Sequence, residues 1–327
     1  MAAEHELIMR EGLDAALRRA SSAKERAQLR LAADILVQEA ENPSATAHLH
    51  SILCTIYLPH RRTEPDQTWQ RSNGEGATLM IQPTKDEQGR YYGVPYGATG
   101  RLMMIYLQNE AYRNRSRQVE LGRSMHAWLR AMGVDSSGKG YRAAREQALR
   151  IERSLVTVAY VGPNGKERWQ DTIIRGSFNL SPPDDSGGRQ HELFPQLIQL
   201  SESFYEALIR HPAVLFEPAI KALAGKSLAL DVYLWLAYRL HALERPTRVG
   251  WKSLHNAFGP NYDRERDFRA KFKEALKEAL LVYPQARVDL VEDGVLLHPS
   301  APAAPPRNLY FVDTRRLAWR PRTVLGK

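Results

Sequence analysis

SLALDVYLWLAYRLHALERPTRVGWKSLHNAFGPNYDRERDFRAKFKEALKEALLVYPQARVDLVEDGVLLH, residues 227 to 298, is the stretch from which the fold is read. It opens with a long apolar helix at 227 to 243, and the extended residues Thr247 to Gly250 follow. A short helix at 251 to 258 meets Gly259-Pro260, and a basic helix of about 261 to 281 comes next. The strand Ala286 to Val291, the turn Glu292-Asp293-Gly294 and the strand Val295 to His298 close the unit.

The same order occurs upstream. A helix at about 98 to 113 (ATGRLMMIYLQNEAYR) leads to the extended segment Gln118 to Leu121, and a second helix at 123 to 132 precedes Gly133 and Gly138. A third helix, about 140 to 154, runs into Leu155 to Val161, a Pro163-Asn164-Gly165 turn and a returning strand near 168 to 175. Helix, strand, helix, helix, strand, turn, strand is the order of a winged helix. The fold class expected is therefore α+β, with tandem winged-helix (helix-turn-helix) domains and an N-terminal helical extension.

Outward from these copies the texture changes. Residues 4 to 43 are rich in Ala, Leu, Glu and Arg and read as one or two helices, with Ser21-Ser22 as break and cap. Alternating runs near 52 to 58 and 78 to 82, separated by a polar stretch containing Asn73-Gly74, read as a strand pair with a long connection. SPPDDSGGRQ, 181 to 190, has the composition of an exposed linker, and APAAPPR, 301 to 307, opens a tail bearing Arg315, Arg316, Arg320 and Arg322. The expected domains are a helical extension at 1–45, a first winged helix with its preceding strand pair at 46–182, a second at 191–300 and a Pro/Arg-rich tail at 301–327.

Lys and Arg number 46 against 37 Asp and Glu, a net charge of +9, which points to a polyanionic partner. No stretch approaches the roughly 18 consecutive apolar residues of a membrane helix, and the start lacks a signal-peptide layout, so a cytoplasmic protein without a membrane partner is expected. The single cysteine, Cys54, reads as a buried small hydrophobe.

The positive charge gathers on two helices. On a wheel of about 100° per residue, Ala144, Ala148, Ile151 and Leu155 share one side, and Arg142, Arg145, Arg150 and Arg153 spread over the other. From Lys139 to Arg153 there are five basic residues against two acidic ones. In the second helix Phe268, Phe272, Ala275 and Ala279 make the apolar stripe, with Arg266, Arg269, Lys273 and Lys277 across from it. In helix-turn-helix proteins the N-terminal part of the second helix enters the major groove, where Arg reads guanine and Asn reads adenine. Base contacts are expected from Asn261, Arg264 and Arg266, and phosphate contacts from Arg269, Lys271 and Lys273. A charged helix face is ordinarily only a solvated face, and Asp263, Glu265, Asp267 and Glu274 dilute this one and form candidate i,i+4 pairs.

The runs SILCTIYLPHRR, ATLMIQP and YGVPYGATGRLMMIYL, and the later LDVYLWLAYRL helix at 230 to 240, resemble the plasmid-encoded RepA replication protein family. The similarity spans roughly residues 48 to 300, with VPYG at 94 to 97 among its most specific marks. The resemblance implies a tandem winged-helix initiator that binds directly repeated origin sequences (iterons) as a monomer. It also implies recruitment of the host helicase and initiator, and repression of its own promoter as a homodimer. In such relatives the C-terminal winged helix makes the main groove contacts, which map onto Asn261 to Lys277, and the N-terminal one touches DNA and mediates dimerisation.

Two rivals are weighed. A rolling-circle nickase would use metal-binding histidines, and His48-Leu49-His50 has the His-x-His spacing, but that spacing recurs by chance and no third ligand follows at short range. A winged-helix repressor without initiation activity shares every motif, since initiation depends on partners that leave none. No phosphate-binding glycine loop is present; neither a catalytic residue nor a cofactor or metal is expected, and Tyr233, Trp235, Tyr238 and Trp251 are assigned to packing. Two reading helices, each needing one turn of major groove of 10 to 10.5 base pairs, predict a DNA repeat of about twenty base pairs. A nuclease footprint on the DNA flanking the gene measures it, and protection confined to a single turn rules out paired readers.

Overall fold

Residues 52 to 58 are buried almost without alternation: Ile52, Leu53, Cys54, Ile56, Tyr57 and Leu58 all lie inside. A strand packing one face cannot do this. The sequence expectation of a strand there is corrected: Ser51–Cys54 is a 3-10 turn, and the partner of Thr78–Pro83 is Trp69–Ser72. Asn73 closes that hairpin, its Oδ1 accepting the Ala77 N–H at 3.0 Å. The structure, a computed structural model, describes residues 3–74, 76–162, 165–176, 178, 197–259 and 262–304. The turn residues Pro163 and Asn164, the linker 181–190, Asn261 and the tail from 305 onward lie outside the described residues.

The chain is mixed α and β and divides into two units that do not follow sequence order. One is His48–Ala213 with Ala224–Ser227; the other joins Met1–Ala47 to Val214–Leu223 and Leu228–Lys327. In the first, the expected order is present as Gly97–Arg113, Gln118–Glu120, Met125–Ala131, Gly138–Glu152, Ser154–Gly162 and Gly165–Thr172. The pairing is not contained within the copy. The ribbon Ser154–Gly162/Gly165–Thr172 pairs onward with Thr78–Pro83 to make a four-stranded antiparallel sheet whose Leu79, Ile81, Val156 and Val158 are buried. Gln118–Glu120 pairs instead with Leu197–Leu200, which also pairs with Ile174–Arg175. A strand from beyond the copy thus stands between two strands of it.

In the second unit, Thr247–Gly250, Gly294–Leu297 and Val288–Val291 form one antiparallel sheet in the order first, third, second. Gly294 is needed at the close approach of these strands, because a Cβ there would overlap the Val249 carbonyl oxygen. The apolar helix Ser227–Arg239 is buried through Leu230, Val232, Tyr233, Leu234 and Leu236.

The N-terminal segment forms three helices, Ala3–Glu11, Leu13–Arg19 and Ala23–Glu41, rather than one or two. Gly12, at φ 83°, makes the additional break. Ser22 caps as expected: its Oγ accepts the Glu25 N–H at 3.1 Å, while Glu25 reaches back to the Ser21 N–H at 2.8 Å. Leu281 joins the core of this helical trio beside Ile8, Leu13, Leu29 and Leu36. Buried His5 donates from Nε2 to the Leu281 carbonyl at 3.1 Å. Burial lowers the His5 imidazole to about 4.

Glu39 is buried in the same unit, its two carboxylate oxygens accepting from the Gln285 side-chain amide at 3.1 and 2.9 Å. Burial raises its carboxyl from 4.5 to about 7 against that hydrogen bond. The folded state therefore keeps a proton that the unfolded chain releases, so stability falls as pH rises from about 4.5 through about 7. Glu39→Gln should raise the unfolding free energy at pH 8 by on the order of 3 kcal/mol. The gain should shrink toward zero near pH 4 in urea titrations; a gain equal at both pH values would show that ionisation is not its origin.

Candidate nucleic-acid interface

The basic helix of the second unit is Glu265–Leu281, four residues shorter at its start than the sequence suggests. Arg264 is its N-cap residue, in extended conformation, and its carbonyl accepts the Asp267 N–H at 3.1 Å, closing the first turn there. The underside is aromatic. Phe268 and Phe272 are fully buried, and Phe272 meets Phe258 and Trp251 at ring-centroid distances of 5.4 and 6.0 Å.

The cations lie on the other side, as the periodicity requires. Arg264, Arg266, Lys271, Lys273 and Lys277 are exposed and Arg269 is half-buried; Asn261 lies outside the described residues. Several already hold acids: Arg269 pairs with Glu265 at 2.7 Å, Lys271 with Glu274 at 3.1 Å and Lys277 with Glu4 at 2.9 Å. Arg266 stands 3.8 Å from Asp267. Arg264 and Lys273 have no recorded carboxylate within 4 Å among the described residues, and Lys273 and Arg269 lie 5.7 and 5.4 Å from the Trp251 ring. Exposed ion pairs contribute about 0–1 kcal/mol each, so a phosphate can displace these acids at small cost. Asp263, Glu265 and Asp267 nevertheless cancel Arg264, Arg266 and Arg269 in charge, so the helix start offers hydrogen-bond donors rather than a strong field.

In the other unit the helix Gly138–Glu152 follows the wheel only in part. Lys139 and Arg142 are exposed, and Arg145 is half-buried. Arg153 is largely engaged, with two hydrogen bonds to Glu87 at 3.0 and 3.1 Å. Arg150 is a correction: it is 1% exposed, donating to the Val94 carbonyl at 3.3 Å and pairing with Glu146 at 2.8 Å, its guanidinium 4.9 Å from the Tyr96 ring. The cause is the VPYG segment. Tyr96 donates its N–H to Gln147 at 2.9 Å, so residues 93–97 cover the flank that an isolated helix would leave in water. Gly93, at φ 83°, leaves room for the Arg150 guanidinium, which a Cβ there would strike.

Sequence reasoning passed over other exposed cations. Arg245 and Lys252 flank the strand Thr247–Gly250, which itself carries Arg248, paired with Asp293 at 2.9 Å, and Lys166 and Arg168 stand on the long ribbon. Their charge was visible; their place beside the sheet depended on pairings that periodicity does not specify.

His48 and His50 serve separate contacts. The His48 ring stacks on Tyr112 at 4.1 Å, while His50 is buried and its Nδ1 accepts the Ile52 N–H at 3.0 Å. Burial lowers both imidazoles, His50 to about 4. Among the described residues no group of three His, Cys, Asp or Glu side chains is placed to hold a metal ion, and no helix is long and apolar enough to cross a membrane.

Residues 94–252 match the family model described as "Plasmid encoded RepA protein". The resemblance read from the sequence is thus shown over that span. The fold is similar to that of domains 2 and 3 of RctB, with a TM-score of 0.52, 13% identity, and coverage of 76% of this chain and 98% of that one. A second structure of RctB domains 2–3 matches with a TM-score of 0.46 and 13% identity, over 75% of this chain and 94% of that one. No curated protein matches.

The two arginine environments of Gly138–Glu152 predict opposite responses. Arg150→Ala strips the Val94 carbonyl and Glu146 of a buried donor and should cost about 2–4 kcal/mol in chemical denaturation. Arg142→Ala should change stability by less than about 0.5 kcal/mol. Equal costs would show that Arg150 is not the structural member of the pair.

Proposed function

We propose, from the premise that residues 94–252 carry the sequence of the plasmid-encoded RepA family, that this chain initiates plasmid replication by binding repeated duplex DNA (iterons) at the origin. Both copies of the helix-turn-helix are read as winged helices, and the helix Glu265–Leu281 is the principal reader. One observation carries this: that helix anchors Phe268 and Phe272 in an aromatic core and turns Arg264, Arg266, Lys271 and Lys273 outward. Arg264 and Arg266 are assigned to base edges, and Arg269, Lys271, Lys273 and Lys277 to phosphates. Lys139 and Arg142, with Arg145 and Arg153 behind them, supply a second phosphate-facing surface; Arg150 is not part of it.

As the family suggests, host helicase and initiator are the protein partners, and a homodimer represses the chain's own promoter. The work is done in the cytoplasm without cofactor, metal or catalytic step. The rival reading, a repressor with the same DNA contacts, differs only in lacking initiation.

Arg264→Ala or Arg266→Ala should weaken binding to DNA flanking the gene by about 1–3 kcal/mol while sparing random sequence. Lys273→Ala should weaken both alike and lower the salt slope of log K by about one. A plasmid carrying only the cognate repeats should be maintained when the protein is supplied in trans and lost with Arg264→Ala. Binding with no plasmid maintenance would leave the repressor, and binding indifferent to all three substitutions would remove the reading helix itself.

A further inference from the structure

The unit that carries the basic helix also contains a cavity of about 680 Å³, within the size range of small-ligand sites. Its walls are largely apolar, with Met9, Leu36, Pro284 and Pro299 contributing. Glu39 and Gln285 line the same space. Glu39 is 7% exposed, and no cation is recorded within 4 Å of it among the described residues; a single amide NH2, that of Gln285, supplies both its oxygens. The Gln285 Oε1 is buried and has no hydrogen-bond partner among the described residues.

This is an unfilled set of acceptors. An ionised carboxylate offers about four lone-pair sites, of which Gln285 uses two, and a buried amide oxygen without a donor costs about 1–3 kcal/mol. The complement is a group that only donates and carries positive charge. Its stem must be short and apolar to lie against Met9, Leu36 and the two prolines. Glu6 adds a second acid to the lining and Arg287 one cation, so with Glu39 ionised the lining side chains sum to one negative charge.

We propose that this cavity binds an organic cation, an ammonium or guanidinium on a short apolar stem, with Glu39 and Gln285 accepting its N–H groups. The assignment is independent of the DNA-binding reading. The cation has two possible sources, a free amine or guanidine and a Lys or Arg side chain of a peptide, and the chemistry is the same for both.

Binding needs the Glu39 carboxylate, so it should follow that group's ionisation. Gln285 and Tyr283 interact directly with Glu39, and Glu6 and Arg287 are the other charged side chains of the same lining. Burial raises the Tyr283 hydroxyl and keeps it neutral.

The test titrates the full chain with n-butylguanidinium and with its neutral isostere n-butylurea by calorimetry. Saturable binding of the cation at pH 8, absence of binding by the urea, and an affinity several-fold lower at pH 6 are expected, as Glu39 takes up its proton near 7. Glu39→Gln should abolish the binding while the variant melts no lower than the parent chain at pH 8, which separates loss of the site from loss of the fold. A capped Arg-Leu dipeptide binding more tightly than n-butylguanidinium would assign the cation to a peptide, and equal affinities would assign it to a free small molecule. Binding of the urea as tight as that of the cation, binding that survives Glu39→Gln, or no saturation by any of these probes overturns the proposal.

Discussion

Burial of Phe272 against Phe258 and Trp251, and of Phe268 against His255 and Tyr262, is the contact on which the outward face of the basic helix depends. Removing a buried Phe costs about 3–5 kcal/mol, whereas each exposed ion pair along the same helix contributes about 0–1 kcal/mol. The rotation of the helix about its axis is therefore decided from beneath. Arg266, Lys271 and Lys273 point to water because the rings point inward, and the pairs with Asp267 and Glu274 add little to that orientation. The same ordering explains why a face with many acids can still meet phosphate: the acids are held weakly, and the scaffold that presents the cations is not.

What was legible in the sequence was local. The strand Thr247–Gly250, the short helix Trp251–Phe258 and the hairpin through Glu292-Asp293 follow from glycine placement and from a change of apolar period from helical to alternating; the first two stand where they were read, and the hairpin strands are Val288–Val291 and Gly294–Leu297 rather than Ala286 to Val291 and Val295 to His298. The illegible parts were settled by distant residues. Nothing in Gln118–Glu120 shows that its neighbour is Leu197–Leu200, because a three-residue strand carries too little pattern to choose a partner. Residues 52 to 58 misled because burial on every side gives an apolar run compatible with several conformations, and the 3-10 turn there is set by the His50 side chain accepting the Ile52 N–H.

Arg150 shows the limit most directly for the candidate interface. A helical wheel knows one packing face, but Gly138–Glu152 is also covered by residues 93–97, through Val94, Tyr96 and Gln147. The VPYG segment that marks the family resemblance thus has a structural meaning in this chain: it sequesters a guanidinium. A count of basic residues along the helix overstates what a phosphate can reach by that one charge, and adds Arg153, which Glu87 holds. The accessible charge shifts to Lys139 and Arg142 at the helix start, both of which are exposed.

The far end of the basic helix is equally constrained, by residues far away in sequence. Leu281 sits in the core of the three N-terminal helices, its carbonyl satisfied by His5, and Lys277 is held by Glu4. A free helix C-terminus frays, because its last carbonyls lack partners; here a buried imidazole, kept neutral by its own desolvation, supplies one. The helical trio fixes the last turns through Leu281, while Lys277, paired with Glu4, stays as exposed as the other paired cations of the helix. A segment remote in sequence therefore fixes how the last turns of the basic helix are held.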